Sequence, residues 1–128
     1  MALPPSMRLR GHRCFNRLHR IGRRYHGVWM VLRVMREEPQ LLRPELRAHP
    51  SSSCRCALVI SNKVSKRAVR RNRLRRLFHG HLRERFEQRH DLAGRWILIS
   101  LRPEASEIDP TQLLEECDSL LSSAGLGT

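Results

Sequence analysis

The sequence has no long uninterrupted run of apolar residues. No stretch approaches the ~18 apolar residues that a membrane-spanning helix needs, and the amino-terminal residues MALPPSMRLRGHRCF lack the apolar core of a secretory signal. The basic segment 63–78 also lacks the Trp- and Phe-rich face of a helix that lies on a membrane. We therefore expect no membrane partner and a cytoplasmic location.

Cysteine is scarce, and its spacing is not that of a zinc site. Cys14, Cys54, Cys56 and Cys117 form no CxxC motif, which excludes the usual zinc ribbon or knuckle. Cys54 and Cys56 lie two residues apart on a predicted strand and could hold a metal ion together with a histidine. Buried free thiols are the simpler interpretation, so we predict no metal site in the protein alone.

Catalytic motifs are also missing. The chain contains no HExxH, no GxSxG and no P-loop sequence. His19, His79 and His81 lie near arginines and could each act as a general base, although a surface histidine is more often an ordinary polar residue. No catalytic residue is predicted in this chain.

Acidic residues are absent from residues 63–76, where basic residues are densest. The segment KVSKRAVRRNRLRRLF carries two lysines and six arginines while its apolar residues keep helical spacing. At 100° per residue, one side of this helix would carry Leu74, Leu77, Phe78, His81 and Leu82. The opposite side would carry Asn72, Arg73, Arg76, Gly80 and Arg83. One face is therefore predicted to be core and the other a cationic surface.

The composition favours a polyanionic partner. Like charges at i and i+4 on a helix cost about 0.2–0.5 kcal/mol per pair, and the chain as a whole has a formal net charge of +13. Only Lys63 and Lys66 among the 25 basic residues are lysines. Because arginine pairs with phosphate through two N–H groups and stacks on bases, this bias favours nucleic acid. A GC-rich genome would also explain the arginines, but not the net charge.

Periodicity predicts a mixed α/β order of elements in one domain at residues 8–124, with flexible ends at 1–7 and 125–128. We predict a first helix at 10–21, with Cys14, Leu18 and Ile21 on its buried stripe and Gly22 at its C-cap. A strand at 28–34 follows, preceded by an extended piece near Tyr25, and then an exposed loop at 38–53 and a strand at 54–60. The basic helix ends at about residue 88, and after it come a strand at 95–101 and a final helix capped by Asp109. The last segment is acidic, which places the cationic surface on the earlier elements.

The basic segment and the order of elements resemble the protein subunit of bacterial ribonuclease P. The stretch SNKVSKRAVRRNRLRRLF carries the resemblance, with Arg71, Asn72 and Arg73 as an RNR core that follows Ser61 and Lys63. RLRGHRCFNRLHRIGRR is similar to the family's first helix, including its Phe15, and WILISLRPEA is similar to its fourth strand. The resemblance covers roughly residues 8–121, without the segment 38–53.

The resemblance implies a fold of helix, three strands, helix, strand and helix, with a left-handed βαβ crossover around the RNR helix. It also implies that a catalytic RNA, which binds most of the Mg²⁺, removes the 5′ leader from precursor tRNA, while the protein binds both RNAs and needs no obligatory protein partner. The implied RNA-binding residues are Lys63, Lys66, Arg67, Arg70, Arg71, Asn72, Arg73, Arg75 and Arg76. The implied leader-binding groove consists of Phe15, Arg17, Val31 and Arg33.

Several positions depart from the family's pattern. His19 and Arg33 stand where aromatic residues are usual, and Cys14 stands where an acidic residue is common. An expected arginine is displaced by Leu101 and follows it as Arg102. These changes reduce aromatic stacking on leader bases and replace part of it by charge.

Three other interpretations stay open at the level of sequence. Phe15 could be a core residue of the first helix rather than a leader contact. A structural RNA- or DNA-binding protein of ribosomal or chromatin type would share the charge but would not assist leader removal. A self-sufficient nuclease would need its own carboxylates or histidines and would cut without any RNA.

Overall fold

The computed structural model describes residues 3–48 and 53–127. Its helices are α1 (His12–Ile21), α2 (Pro44–Arg47), α3 (Ala68–Phe86) and α4 (Pro110–Ser123). Its strands are β1 (Arg23–His26), β2 (Met30–Arg36), β3 (Arg55–Val59) and β4 (Arg95–Leu101). The predicted order of helix, three strands, helix, strand and helix is confirmed, and the short α2 is an addition to it.

The four strands form one mixed sheet in the order β1-β2-β4-β3. β2 is antiparallel to both β1 and β4, whereas β3 and β4 are parallel neighbours. Since parallel neighbours cannot be joined by a tight turn, the chain crosses between them through α3. The predicted βαβ unit around the basic helix is therefore present.

Alternation along the strands gives the sheet two buried faces. On one face, which we call the α1 face, Cys14 and Leu18 of α1 pack with Met35, Trp96 and Leu98. The other face supports α3 and α4 through a larger cluster that includes Leu32, Ile97 and Ile99. Both faces of β2 and β4 are therefore covered, as the apolar composition of these strands predicts.

The buried stripe of α3 consists of Leu74, Phe78, Leu82 and Phe86. These residues follow one another at intervals of four, so they form one line along the helix. Leu77, which the helical projection placed on the core side, is only partly buried. It lies at the flank of the stripe, because one residue along a helix corresponds to a rotation of about 100° from Phe78.

The end of α1 differs in two ways from the prediction. Ile21 is 50 % exposed, so the buried stripe ends at Leu18. Gly22 is the C-cap, but its φ of −61° is not left-handed. A Cβ there would overlap the carbonyl oxygen of Leu18 and approach the Cβ of Arg33 to 3.4 Å. A side chain at this position is therefore excluded mainly by the carbonyl oxygen of Leu18 in the last turn of α1, and not by a left-handed backbone.

The segment 38–53 is not simply an exposed loop. Its described part forms a 3₁₀ turn at Pro39–Leu41 and the helix α2, and Leu42 and Leu46 are each only 5 % exposed. Their side chains join the cluster on the α1 face. Residues 49–52 of the predicted loop lie outside the described residues.

Described residues of both chain ends pack against the core. Leu3 and Met7 are buried near the start, and Leu126 is buried near the end. All three belong to the cluster that supports α3 and α4. The predicted flexible residues Met1, Ala2 and Thr128 lie outside the described part.

Arg55 explains part of this packing. It is 2 % exposed, and its guanidinium donates hydrogen bonds to the carbonyl oxygens of Pro5 (2.9 Å), Arg8 (3.0 Å) and Leu46 (2.9 Å). Burial lowers the pKa of this guanidinium. One buried cation thus ties the amino-terminal segment and α2 to the sheet.

The final helix begins as predicted. The Asp109 carboxylate accepts a hydrogen bond from the backbone N–H of Thr111 at 3.3 Å, and Pro110 occupies the first helical position. Among all described helices, none is long and apolar enough to cross a membrane.

Candidate nucleic-acid interface

The basic residues of α3 and the turn before it form a continuous cationic surface, which we call the RNR surface. Its exposed members are Lys63, Lys66, Arg67, Arg70, Asn72, Arg73 and Arg76. In residues 3–48 and 53–127, none of these side chains forms an ion pair with a carboxylate. The RNR surface thus carries positive charge that the described protein does not neutralise.

Three arginines of this surface also hold its shape. Arg71 is partly buried and donates to the carbonyl oxygen of Ser65 at 2.8 Å. Arg70 donates to the carbonyl oxygen of Ser106, beyond β4. Arg75 donates to the side-chain oxygen of Asn72 at 2.9 Å. These partners are neutral acceptors, so they fix the side chains and leave their charge available.

The α1 face carries a second cationic cluster, around Arg33 of β2. Arg33 is partly buried, and its Nε has no hydrogen-bond acceptor among the described residues. Burial, and next the positive charge of Arg24, lower the pKa of the Arg33 guanidinium. A buried N–H group without an acceptor is costly, and a bound anion would remove that cost.

The strand register adds residues that the sequence did not indicate. Arg24 of β1 lies opposite Arg33, and His26 lies opposite Val31. Arg102, just after β4, donates to His26 Nδ1 at 3.2 Å, and its own Nε lacks an acceptor in the described protein. Only Arg102 had been noted from the sequence, as the arginine displaced by one position. The other members of the cluster are neighbours across strands, and periodicity along one strand cannot reveal such neighbours.

Val31 and Phe15 occupy different parts of the α1 face. Val31 is 9 % exposed, so it offers little area for contact, and the cations around it form the accessible surface. Phe15 is partly buried and lines a cavity with Ala57 and Leu58 of β3. The predicted apolar groove therefore has its aromatic wall near β3 and its charge near β2.

Arg17 lies on the opposite flank of α1 from Phe15, because two residues along a helix correspond to a rotation of about 200°. Its Nε is 3.1 Å from Glu38 Oε2. The structure thus brings Val31 and Arg33 together on β2 but directs Arg17 toward the segment after β2. The carboxylate of Glu38 already balances its charge.

The three candidate histidines have different environments. His81 Nε2 is 2.7 Å from Asp118 Oδ1, and Arg85 contacts the other oxygen of that carboxylate at 2.8 Å. His19 Nδ1 lies 2.8 Å from the carbonyl oxygen of Phe15. His81 thus joins α3 to α4, and His19 contacts the preceding turn of its own helix. His79 alone lines a cavity.

The four cysteines are free thiols, and all are buried. The sulfur atoms of Cys54 and Cys56 are 3.7 Å apart, as expected for two residues on the same side of a strand. Burial raises the pKa of the Cys117 thiol to about 12. Within the described ranges, no three residues among His, Cys, Asp and Glu form a group that could hold a metal ion.

Comparisons with known proteins agree with this architecture. The family model described as Ribonuclease P matches residues 3–125. The chain is 84 % identical over 127 residues to the ribonuclease P protein component of Parasynechococcus marenigrum, covering 99 % of both chains. It is 46 % identical over 125 residues to the corresponding protein of a Prochlorococcus marinus strain, covering 98 % of both.

Solved structures show the same fold at low sequence identity. The RNase P protein of Staphylococcus aureus matches with a TM-score of 0.75 and 18 % identity, covering 95 % of this chain and 98 % of that one. The RNase P protein of Thermotoga maritima matches with a TM-score of 0.67 and 20 % identity, covering 91 % and 96 %. The chain therefore belongs to the ribonuclease P protein family and is a subunit of an RNA-containing endoribonuclease that processes tRNA.

Proposed function

We propose that this protein binds the catalytic RNA of ribonuclease P and the 5′ leader of precursor tRNA, and thereby assists removal of the leader. The RNR surface binds the catalytic RNA, and the α1 face binds the leader. The protein works in the cytoplasm and needs no obligatory protein partner.

The observation that carries the proposal is the unneutralised charge of the RNR surface. Exposed arginines such as Arg73 and Arg76 lack carboxylate partners in the described part of the chain. A rigid helix presents them at fixed intervals, while Arg71 is held in place by Ser65. Such an array suits phosphates spaced along a folded RNA, since each phosphate contact releases condensed counterions.

The cations of the α1 face support the leader assignment. Arg33 and Arg102 each have an Nε without an acceptor among the described residues, and Phe15 presents a partly exposed ring on the same side of the sheet. A single-stranded leader can place phosphates at the arginines and bases on the aromatic and guanidinium planes. This mode of binding needs no base-specific hydrogen bonds.

We assign cleavage itself to the RNA subunit, with Mg²⁺ held mainly by that RNA. The protein's contribution is then electrostatic: its guanidinium groups replace part of the counterions that two closely packed RNAs require. That contribution is largest when Mg²⁺ is scarce, because divalent ions compete for the same phosphates.

A reconstitution assay tests the proposal with the intact protein. Precursor tRNA is mixed with protein alone, with catalytic RNA alone and with both, at low and at high Mg²⁺. We expect no cleavage by the protein alone, and cleavage at the mature 5′ end at low Mg²⁺ only when both are present. Cleavage by protein free of RNA would show a self-sufficient nuclease, and binding without assistance would favour a structural RNA-binding protein.

A further inference from the structure

A cavity of about 190 Å³ lies at the outer edge of β3, and it shares Phe15 with the proposed leader groove and Arg75 with the RNR surface. We call it the β3-edge cavity. Its apolar lining includes Leu9, Phe15, Ala57 and Leu58, and its polar lining includes Arg8, Arg10, Arg75 and His79. It therefore lies between the amino-terminal segment, α1 and α3.

The cavity contains several positive charges and no acidic residue in its described lining. Arg8, Arg10 and Arg75 form no ion pair with a carboxylate within residues 3–48 and 53–127. Arg8 is positioned by a hydrogen bond from its Nε to the carbonyl oxygen of Leu3 at 2.7 Å, and Arg75 is positioned by Asn72. Preorganised arginines around a concave site are suited to an anion with several acceptor oxygens.

His79 is the one group of this lining whose charge can change near neutral pH. It is partly buried, and it has no hydrogen-bond partner among the described residues. Burial, followed by positive charges that include Arg75, Arg10 and Arg8, lowers the pKa of its imidazole. The Cys56 thiol also lines the cavity, but its hydrogen bond with Cys54 and its burial raise its pKa, so it stays neutral.

We infer that the β3-edge cavity binds one unpaired nucleotide of RNA, with the phosphate at Arg8, Arg10 and Arg75, the base against Phe15, and His79 taking up a proton as the phosphate binds. This inference rests on the proposed function only for the source of the nucleotide, which is either the leader or the catalytic RNA. The apolar part of the lining accommodates a base, and the charged part accommodates its phosphate. A phosphate beside the imidazole opposes the arginines and favours the protonated ring.

Protonation of His79 makes RNA affinity depend on pH in one direction. The imidazole of the free protein is neutral at neutral pH, and the bound phosphate raises its pKa. The added affinity is therefore fully present below the pKa of the free protein and is lost as pH rises through the pKa of the complex. Between these two pH limits, RNA affinity should fall in total by about tenfold for each unit by which the bound phosphate raises the pKa of His79.

The first experiment uses the full-length protein and pentauridylate without terminal phosphates. Neither the uracil bases nor the phosphodiesters of this probe titrate between about pH 5.5 and about pH 8, the range that brackets the imidazole. Calorimetry in buffers of different ionisation enthalpy measures proton uptake directly. We expect uptake of a fraction of one proton near neutral pH and weaker binding as pH rises.

Variants of His79 decide whether that residue is responsible. His79→Gln should weaken binding at low pH and remove both the proton uptake and the pH dependence. His79→Lys should bind with little pH dependence and near the low-pH affinity of the unchanged protein. The exposed His90 provides the matched control, and His90→Gln should retain the uptake. Proton uptake that survives in His79→Gln, or binding that Phe15→Leu leaves unchanged, would overturn the inference.

A second experiment identifies the source of the nucleotide. If it belongs to the catalytic RNA, His79→Gln weakens assembly of the two subunits. If it belongs to the leader, assembly is unchanged and the holoenzyme loses preference for precursor over mature tRNA. If His79→Gln folds normally and changes neither subunit assembly nor the preference for precursor over mature tRNA, the inference is overturned. The unchanged protein is tested in parallel for assistance of cleavage, so a failure of the proposed function is seen separately from a failure at His79.

Discussion

The carboxylate of Glu116 on α4 accepts a hydrogen bond from the backbone N–H of Trp29, 2.8 Å away. Its other oxygen accepts from the N–H of Val28 at 2.9 Å. Both donors lie in the turn that joins β1 to β2. The acidic final helix therefore fixes the turn next to the cationic cluster of Arg24, His26 and Arg102.

Removal of that carboxylate should destabilise the protein. We expect Glu116→Ala to lower the free energy of unfolding by about 1.5–3 kcal/mol, the usual value for hydrogen bonds to a charged group. Chemical denaturation measures the change. The neighbouring Glu115 is exposed, so Glu115→Ala should stay within about 0.5 kcal/mol of the unchanged protein. Equal effects of the two variants would contradict the role assigned to Glu116.

Substitutions on α3 should separate stability from RNA binding. Phe78 is fully buried, whereas Leu77 is only partly buried. Phe78→Ala should therefore cost about 3–5 kcal/mol, and Leu77→Ala should cost clearly less. Thermal and denaturant unfolding of both variants provide the comparison. A larger loss for Leu77→Ala would mean that α3 is rotated relative to the sheet.

The exposed arginines of α3 should act through phosphates. We expect Arg73→Ala to weaken assembly with the catalytic RNA and to lower the slope of log affinity against log salt by about one, with little change in melting temperature. Arg85 serves as the control because it is already paired with Asp118 at 2.8 Å. Arg85→Ala should leave the salt slope nearly unchanged. An unchanged slope for Arg73→Ala, combined with a lost melting transition, would show a structural role instead.

Acidification should destabilise the free protein partly through His79. Its pKa is lowered by burial and by nearby arginines, so on acidification the unfolded chain takes up a proton before the folded chain does. Stability due to this residue therefore falls as pH drops through the ordinary histidine range toward the lowered value. We expect His79→Gln to reduce the loss of melting temperature between about pH 7 and about pH 5. A steeper loss would mean that the folded protein favours the charged imidazole.

The sequence predicted the elements whose signals are local. The strand β4 has the predicted bounds Arg95–Leu101, and Asp109 caps α4 as expected. Both depend on signals within a few residues: an apolar run rich in β-formers for β4, and an Asp-Pro pair for α4. The cationic face of α3 followed in the same way from helical periodicity.

Features that depend on distant partners could not be predicted. Nothing near Leu42 or Leu46 indicates that α1 and β4 provide a surface for them, and Arg55 resembles any polar residue between apolar ones. Ile21 fits the helical stripe, but it is 50 % exposed, so the buried stripe of α1 ends at Leu18. These outcomes depend on the tertiary arrangement, which overrides local pattern.

The family resemblance placed Arg17 and Arg33 together in the leader groove, and the structure gives the two side chains different surroundings. In the structure Arg17 pairs with Glu38, whereas Arg33 retains an Nε without an acceptor in the described protein. Arg33→Ala should therefore weaken binding of precursor tRNA by the holoenzyme and leave mature tRNA unaffected. Arg17→Ala should change neither, apart from up to about 1 kcal/mol of stability from the lost surface pair.

Phe15 provides the decisive comparison, because it could serve either the leader or the core. If its ring contacts the leader, Phe15→Ala weakens binding of precursor tRNA while mature tRNA binds as before, and the double variant with Arg33→Ala is weaker still. The ring is partly buried rather than enclosed, so stability should fall by less than the ~3–5 kcal/mol of a fully buried phenylalanine. Fluorescence titration of the holoenzyme with both tRNAs, together with melting curves, measures all three quantities. A sharp loss of stability with equal weakening for the two tRNAs would assign Phe15 to the core and leave the cations around Arg33 as the leader contact.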